Sequence, residues 1–388
     1  MNRRRLLMTG ASIAALLPLT PIASRGSAQT AARRWSHTDL THVANAPTAS
    51  GGAAEFGQPA AAVLPDRTNI VLFTGSDRHI HQLKQVEGRW LHTDLTALMK
   101  APNTMTSPGV LVRPDGVISI LFNAGHIHQF RMRGDTGTHI DLTLSAGAPS
   151  AFPFGPPSQF VRGDGADAIV YIGGGAGNRR IHQLSFSDGR WAHANLSELT
   201  QTPVTTTLAR PSGFVRSGRL ASVVYADGHG VTELSLGSDR RWVSNNLSAL
   251  VQAPKPDVRR WPITLLRSDG VASVVYAAAD GFIHELAHVN GRWEATALFG
   301  GPQIVMQHGP VGYVRGDRVT AIIYLGTDGH IHELALIDGR WQHTALSLAA
   351  NAPRGVSQPF GYVRSDGASC VLYRGPDRHL HELSLPRG

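Results

Sequence analysis

A hydrogen-bonding side chain recurs seven times in one setting along this chain, usually with a histidine before it. The setting is an apolar residue, His, then Glu or Gln, then Leu or Phe. It reads Ile80-His81-Gln82-Leu83, Ile127-His128-Gln129-Phe130, Ile181-His182-Gln183-Leu184 and Val231-Thr232-Glu233-Leu234. Three more copies are Ile283-His284-Glu285-Leu286, Ile331-His332-Glu333-Leu334 and Leu380-His381-Glu382-Leu383. A Trp follows most of them, among them Trp242, Trp293 and Trp341. Such a set has a recognisable chemistry. The paired acceptors of a carboxylate match neighbouring hydroxyls of a sugar, and the sugar's C–H face stacks on an aromatic ring. Gln82, Gln129 and Gln183 can make the same bonds without the charge. The same residues serve equally well to tie neighbouring repeats together, with Trp in the core.

Other chemistries fit less well. Nineteen His occur, with a second series (His37, His92, His139, His193 and His343) two residues after the Trp position. A metal needs two or three His converging at about 2 Å from one ion, and copies spread along a repeat do not provide that. No metal or other cofactor is expected. No Gly-x-Ser-x-Gly elbow, His-Glu-x-x-His pair or phosphate loop occurs. The repeated Glu residues supply no unequal acid and base, so the chain does not read as an enzyme.

The elements that must position these residues follow from the repeat. Successive copies lie 47 to 54 residues apart, close to the period of about 40–50 residues typical of propeller blades. Each repeat carries four short apolar runs. Around the sixth copy they are Val311 to Val314, Thr320 to Tyr324, His330 to Leu336 and Arg340 to His343, separated by Arg315-Gly316-Asp317, Asp328-Gly329 and Asp338-Gly339. Asp-Gly between such runs signals a hairpin. The ends are complementary: Trp35 stands on a lone fourth-strand segment, and the chain stops after a third strand at Leu383-Ser384-Leu385. The prediction is an all-β, seven-bladed β-propeller of four-stranded antiparallel blades, closed by the N-terminal strand completing the C-terminal blade. Arg113, Arg162, Arg216, Arg267, Arg315 and Arg364 would end first strands, and Arg34, Arg89, Arg190, Arg241, Arg292 and Arg340 would precede the Trp position on the same side. Turn carboxylates such as Asp115, Asp164, Asp269, Asp317 and Asp366 are expected to pair with them locally. The least regular blade spans Val110 to Leu142, where Gly137 replaces Trp.

The first 28 residues read as a twin-arginine signal peptide, with Arg3-Arg4-Arg5-Leu6-Leu7, an apolar stretch to Ile22 and small residues at Gly26-Ser27-Ala28. Residues 29–388 would be the propeller, working in the periplasm or secreted, without stable membrane insertion after cleavage. The formal charge of +8 includes Arg3, Arg4, Arg5 and Arg25, leaving +4 without the leader. That weakly basic balance gives no case for nucleic acid. Cys370, the single cysteine, sits in an apolar run and reads as buried.

One repeat pattern is more specific. Tyr276, Glu285 nine residues on and Trp293 eight further recur as Tyr324, Glu333 and Trp341, and one residue shorter as Tyr225, Glu233 and Trp242. This resembles the repeat of fucose-specific propeller lectins and covers essentially the whole chain after the leader. The resemblance implies a sugar held between blades by a third-strand Glu, a second-strand Arg and aromatics. Here the Arg position is Val71, Ile120, Ile169, Val223, Val274, Ile322 and Val371, so the Arg–Glu clamp is expected to be missing from every blade. The reading is an exported, non-catalytic carbohydrate-binding protein taking glycans or glycoconjugates, with repeated sites giving avidity. The alternatives are a scaffold for protein partners and a glycosidase or lyase with its site at the central channel.

Overall fold

A computed structural model describes residues 34–50, 57–153, 155–175, 177–203, 210–298, 300–306 and 308–387. The leader expected at residues 1–28 lies outside them. Seven four-stranded antiparallel sheets form within one unit spanning 33–388. Blade 1 runs from Ala60 to Asp94, blade 2 from Gly109 to Asp141, blade 3 from Ser158 to Asn195 and blade 4 from Ser212 to Asn246. Blade 5 runs from Ile263 to Leu298 and blade 6 from Val311 to Ala345. Blade 7 is Phe360 to Leu385 completed by Ser36–Asp39, in the register Ser36↔Ser384, His37↔Leu383, Thr38↔Glu382 and Asp39↔His381. The predicted ring closure is therefore present, with Trp35 one residue ahead of the closing strand.

First strands pack on the first strands of both neighbouring blades in a closed cycle, so they line the channel. A proline precedes each of them: Pro59, Pro108, Pro157, Pro211, Pro262, Pro310 and Pro359. Proline suits the first residue of an edge strand, where no ladder bond needs its missing N–H. Second strands are buried along their whole length, as in Asn69–Thr74 and Thr320–Leu325. A blade is covered on both faces by its neighbours, so these strands read as continuous apolar runs instead of alternating ones. Each core cluster accordingly draws on two adjacent blades, as when Val71 and Phe73 of blade 1 pack with Cys370 and Leu372 of blade 7.

Two local devices set the strand ends. The turns between third and fourth strands place Glu87-Gly88, Asp188-Gly189, Asn290-Gly291 and Asp338-Gly339 at positive φ in both positions, the two-residue hairpin geometry that matches strand twist. At the opposite end the fourth strand runs into a single helical turn. Asp39, Asp94, Asp141, Asn195 and Asn246 cap those turns by accepting a backbone N–H three residues on. A Leu then enters the core, and the next hydroxyl accepts a third-strand N–H. Thr96 takes Ile80 at 2.8 Å, Thr143 takes Ile127 at 2.8 Å and Ser197 takes Ile181 at 2.9 Å. The motif Asp/Asn-Leu-Ser/Thr thus pins the outer strand in five blades, while blade 6 keeps only the Leu and Ser after Ala345. Among the described residues no helix is long and apolar enough to cross a membrane.

Candidate functional site

The third-strand acceptors lie inside the wheel. Gln82, Gln129, Gln183, Glu233, Glu285, Glu333 and Glu382 are 0–6 % exposed. Strand alternation turns each of them toward the following blade, while the preceding His points to the previous one. In blades 4 to 7 the carboxylate meets the Arg that ends the first strand. Arg216 holds Glu233 in a fork at 2.7 and 3.0 Å. Arg267 reaches Glu285 at 3.4 Å, Arg315 reaches Glu333 at 3.1 Å and Arg364 reaches Glu382 at 3.0 Å. Tyr313 donates to Glu333 at 3.2 Å and Tyr362 to Glu382 at 2.5 Å. Burial holds the carboxyls of Glu333 and Glu382 above the usual range despite these partners.

The second-strand position of the lectin clamp is apolar and buried in every blade. A different Arg–Glu pair, with its Arg at the end of the first strand, is present in four blades. The expected local pairs with turn carboxylates also form, at Arg162–Asp164, Arg267–Asp269, Arg315–Asp317 and Arg364–Asp366. Arg216 has no turn Asp and engages only Glu233 among the described carboxylates. The three Gln blades differ for a physical reason. Arg113 of blade 2 crosses to Asp167 of blade 3, and Arg162 of blade 3 turns out to Asp164. Blade 1 has Leu64 at the corresponding position, and among the described residues no guanidinium bonds the side-chain oxygen of Gln129 or Gln183. Every Glu blade carries an Arg at the end of its first strand, but so do the Gln blades of Arg113 and Arg162, so the sequence alone does not mark the pairs.

Trp242, Trp293 and Trp341 are half-buried and pack against the interface with the preceding blade. The guanidinium of Arg216 lies 5.7 Å from the Trp293 ring, whose other neighbour is His288 at 5.1 Å. In blade 2, Met132 and Met99 fill the volume beside Gly137 where other blades carry Trp. The irregular blade is thereby an ordinary four-stranded sheet, Gly109–Val112, Ile118–Asn123, Ile127–Arg133 and Thr136–Asp141.

The two His series meet each other. His81–His92, His128–His139, His182–His193, His332–His343 and His37–His381 are hydrogen-bonded at 2.8–3.0 Å. Where Asp77, Asp328 and Asp377 bind Nε2 of the inner ring at 3.0–3.2 Å, that nitrogen donates to the carboxylate and Nδ1 accepts from the outer His. Both nitrogens of the inner His are then engaged, although Asp77, His81 and Asp94, and Asp39, Asp377 and His379, come close enough to suggest an ion. Burial pushes His128 and His182 down to about 4. Cys370 is buried, and burial holds its thiol above the usual range.

Open space lies elsewhere. Between blades 3 and 4, on the side of the Asp-Gly turns, is a polar cleft of about 560 Å³. Arg162, Asp164, Ser185, Ser187 and Asp188 of blade 3 and Arg240 of blade 4 line it. Ser185 and Ser187 share the strand face of Gln183, whose Oε1 has no hydrogen-bond partner among the described residues. At the axis is a smaller cavity of about 170 Å³, lined among the described residues by Gln58, Arg210, Trp261, Gln358 and prolines, without a carboxylate.

No protein-family profile matches the sequence, and no curated protein matches it at a significant level. Solved structures do match in fold. The BP39L lectin from Burkholderia pseudomallei superposes with a TM-score of 0.58 at 13 % identity, covering 81 % of this chain and 98 % of its own. The Aleuria aurantia lectin, solved with alpha-methyl-L-fucoside, gives 0.50 at 13 %, covering 77 % and 97 %. The polysaccharide lyase Uly1 gives 0.51 at 11 %, covering 88 % and 92 %. The propeller fold resembled in the repeat pattern is thus shared with fucose-lectin propellers and with a lyase.

Proposed function

We propose that this chain is an exported, non-catalytic carbohydrate-binding propeller whose sugar sites lie between blades. The observation that carries the reading is the contrast between its two kinds of cavity. The cleft between blades 3 and 4 brings two guanidinium groups, two carboxylates and two hydroxyls to one polar space of about 560 Å³, within the range of about 300–1,000 Å³ for small-molecule sites. Arg162 and Asp164 form a bidentate pair at 3.1 and 2.6 Å, matching the donors and acceptors of a sugar's adjacent hydroxyls. Gln183 lies on the same strand face and offers its Oε1 toward this interface. Among the described residues the axial cavity is lined without a carboxylate. The likeness to lectins supports the reading at the level of fold; fold alone does not assign function.

The Gln and Glu positions take different roles in this account. In blades 4 to 7 the Arg–Glu pairs occupy the interface, and Arg216 lies beside the Trp293 ring. Sugar contact there involves the exposed edges of Trp242, Trp293 and Trp341. In blade 3 the outward turn of Arg162 leaves the interface open. A glycan array probed with the folded chain should give selective binding that Arg162→Ala and Asp188→Ala each reduce at least tenfold. Binding to no glycan at all would overturn the reading and favour a protein scaffold.

A further inference from the structure

Two adjacent blades carry a set of ligating side chains that the other five hold only in part. At the turn between second and third strands, blade 1 reads Gly75-Ser76-Asp77-Arg78-His79-Ile80-His81 and blade 7 reads Gly375-Pro376-Asp377-Arg378-His379-Leu380-His381. The end of the fourth strand adds a second carboxylate opposite the inner His, Asp94 in blade 1 and Asp39 in blade 7. Blade 6 has Asp328, His330 and His332 but places Ala345 opposite His332. Blade 2 has His126, His128 and Asp141, and its shorter turn supplies no first Asp. Blades 3, 4 and 5 carry Asn195, Asn246 and Ala297 at the second-carboxylate position.

The groups converge in both blades. In blade 1, Nε2 of His81 lies 3.1 Å from Asp77, and Nδ1 of His79 lies 2.7 Å from Asp94 and 3.8 Å from Asp77. In blade 7, His381 lies 3.2 Å from Asp377 and His379 lies 2.7 Å from Asp39. Ligand atoms of Asp77, His81 and Asp94 all lie within 4.8 Å of one another, and so do those of Asp39, Asp377 and His379. Four ligands at about 2.1 Å from one tetrahedral ion stand about 3.4 Å apart, so small rotations suffice to enclose one. Among the described residues the ion-pair partners of these four carboxylates are histidines. Two carboxylates sharing one space repel unless a cation lies between them. The surroundings hold the ligands in place. Oδ1 of Asp77 and of Asp94 accepts the backbone N–H of His79 and of Ala97 at 3.0 and 2.9 Å. Nδ1 of His81 and of His381 meets His92 and His37 at 2.9 and 3.0 Å, the kind of outer partner that fixes a metal-binding ring. A Cβ on Gly75 or Gly375 would collide with Nε2 of the inner His and with its Asp, so glycine keeps that side of each cluster clear. His81 and His381 are buried while Asp77 and Asp377 are open to solvent, which gives an ion a way in.

We infer that blades 1 and 7 each bind one zinc ion, through Asp77, His79, His81 and Asp94 in the first and Asp377, His379, His381 and Asp39 in the second. Mixed imidazole and carboxylate ligands suit zinc, whereas calcium and magnesium take oxygen ligands. Each inner His binds through Nε2 and keeps its proton on Nδ1, donated to the outer His. In blade 7 the ion joins Asp39 of the closing strand to the turn before the last strand Leu380–Leu385, so it clasps the two ends of the ring. An ion held by the folded chain alone stabilises that fold. The turns between second and third strands lie on the opposite side of the wheel from the cleft between blades 3 and 4, so either site can fail without the other.

The test is calorimetric titration of the EDTA-dialysed full chain with zinc chloride and, separately, calcium chloride, together with melting temperature and imidazole resonances. Saturable zinc binding at two sites per chain, a raised melting temperature and shifted His79 and His379 signals are the expected result. The His330 signal, from the incomplete cluster of blade 6, should stay in place. His79→Gln and His379→Gln, each folded by circular dichroism, should each remove one of the two sites, and His379→Gln should also lose most of the zinc-dependent rise in melting temperature. Absence of saturable zinc binding would overturn the proposal. Zinc binding that leaves His79 and His379 unmoved, or that survives in the double variant, would overturn the placement of the sites. Calcium binding as tightly as zinc would overturn the assignment of the metal.

Discussion

The Arg–Glu pairs behave as structural groups at the level of single residues. Arg216 and Glu233 are both buried and saturate each other in a bidentate fork. Removing one partner strands a buried charge, and such losses cost about 3–5 kcal/mol. Glu233→Ala should therefore lower stability by about that amount in urea denaturation, whereas Arg162→Ala, at the rim of the open cleft, should cost under about 1 kcal/mol. The buried histidines set a pH dependence of definite sign. His128 and His182 fall from their ordinary 6.5 to about 4 in the folded chain. Their stabilisation is complete above pH 6.5 and is lost as pH falls toward 4. Glu333 and Glu382, raised by burial, oppose this trend at lower pH. The urea midpoint should drop between pH 6.5 and 4, and His182→Gln should flatten that slope. Glu, Gln and His were visible in the sequence as repeated positions, but not their partners. Pairing His81 with His92, or Arg315 with Glu333, depends on which strand supplies the neighbour, and spacing alone does not reveal that.

At the level of elements, each blade is held by its turns and caps. Ser347 accepts the backbone N–H of Ile331 at 3.1 Å and shares a hydrogen bond with Nδ1 of His330 at 3.0 Å. In Ser347→Ala the Ile331 N–H is left buried without a partner, a loss of about 1–3 kcal/mol. A fall in melting temperature of several degrees should follow, with the strands retained by circular dichroism. Strand number and the Asp-Gly hairpins were legible because apolar runs and two-residue turns leave short-range marks. The cap motif at Asp94-Leu95-Thr96 was just as regular in sequence. Its role does not show in the spacing, because the N–H it bonds lies about sixteen residues back on the neighbouring strand.

Closure and asymmetry belong to the whole molecule. Seven blades and the strand Ser36–Asp39 completing blade 7 follow from unequal chain ends, so this much of the architecture was readable before any coordinates. A chain beginning at Leu40 would leave the Leu380–Leu385 edge unpaired. It should melt at lower temperature and associate with rising concentration in gel filtration. The cavities were not readable. They depend on how the blades meet, as where Arg240 of blade 4 faces Asp188 and Arg162 of blade 3, and a comparison of copies along the chain does not show that. The central claim is that sugar binds between blades, at the cleft of Arg162, Asp188 and Arg240. The most direct measurement is calorimetric titration of the best array glycan into the native chain and into Arg162→Ala. Saturable binding to the native chain, at least tenfold weaker in Arg162→Ala with unchanged urea stability, is the predicted result. Equal affinity for both chains would contradict the placement of the site.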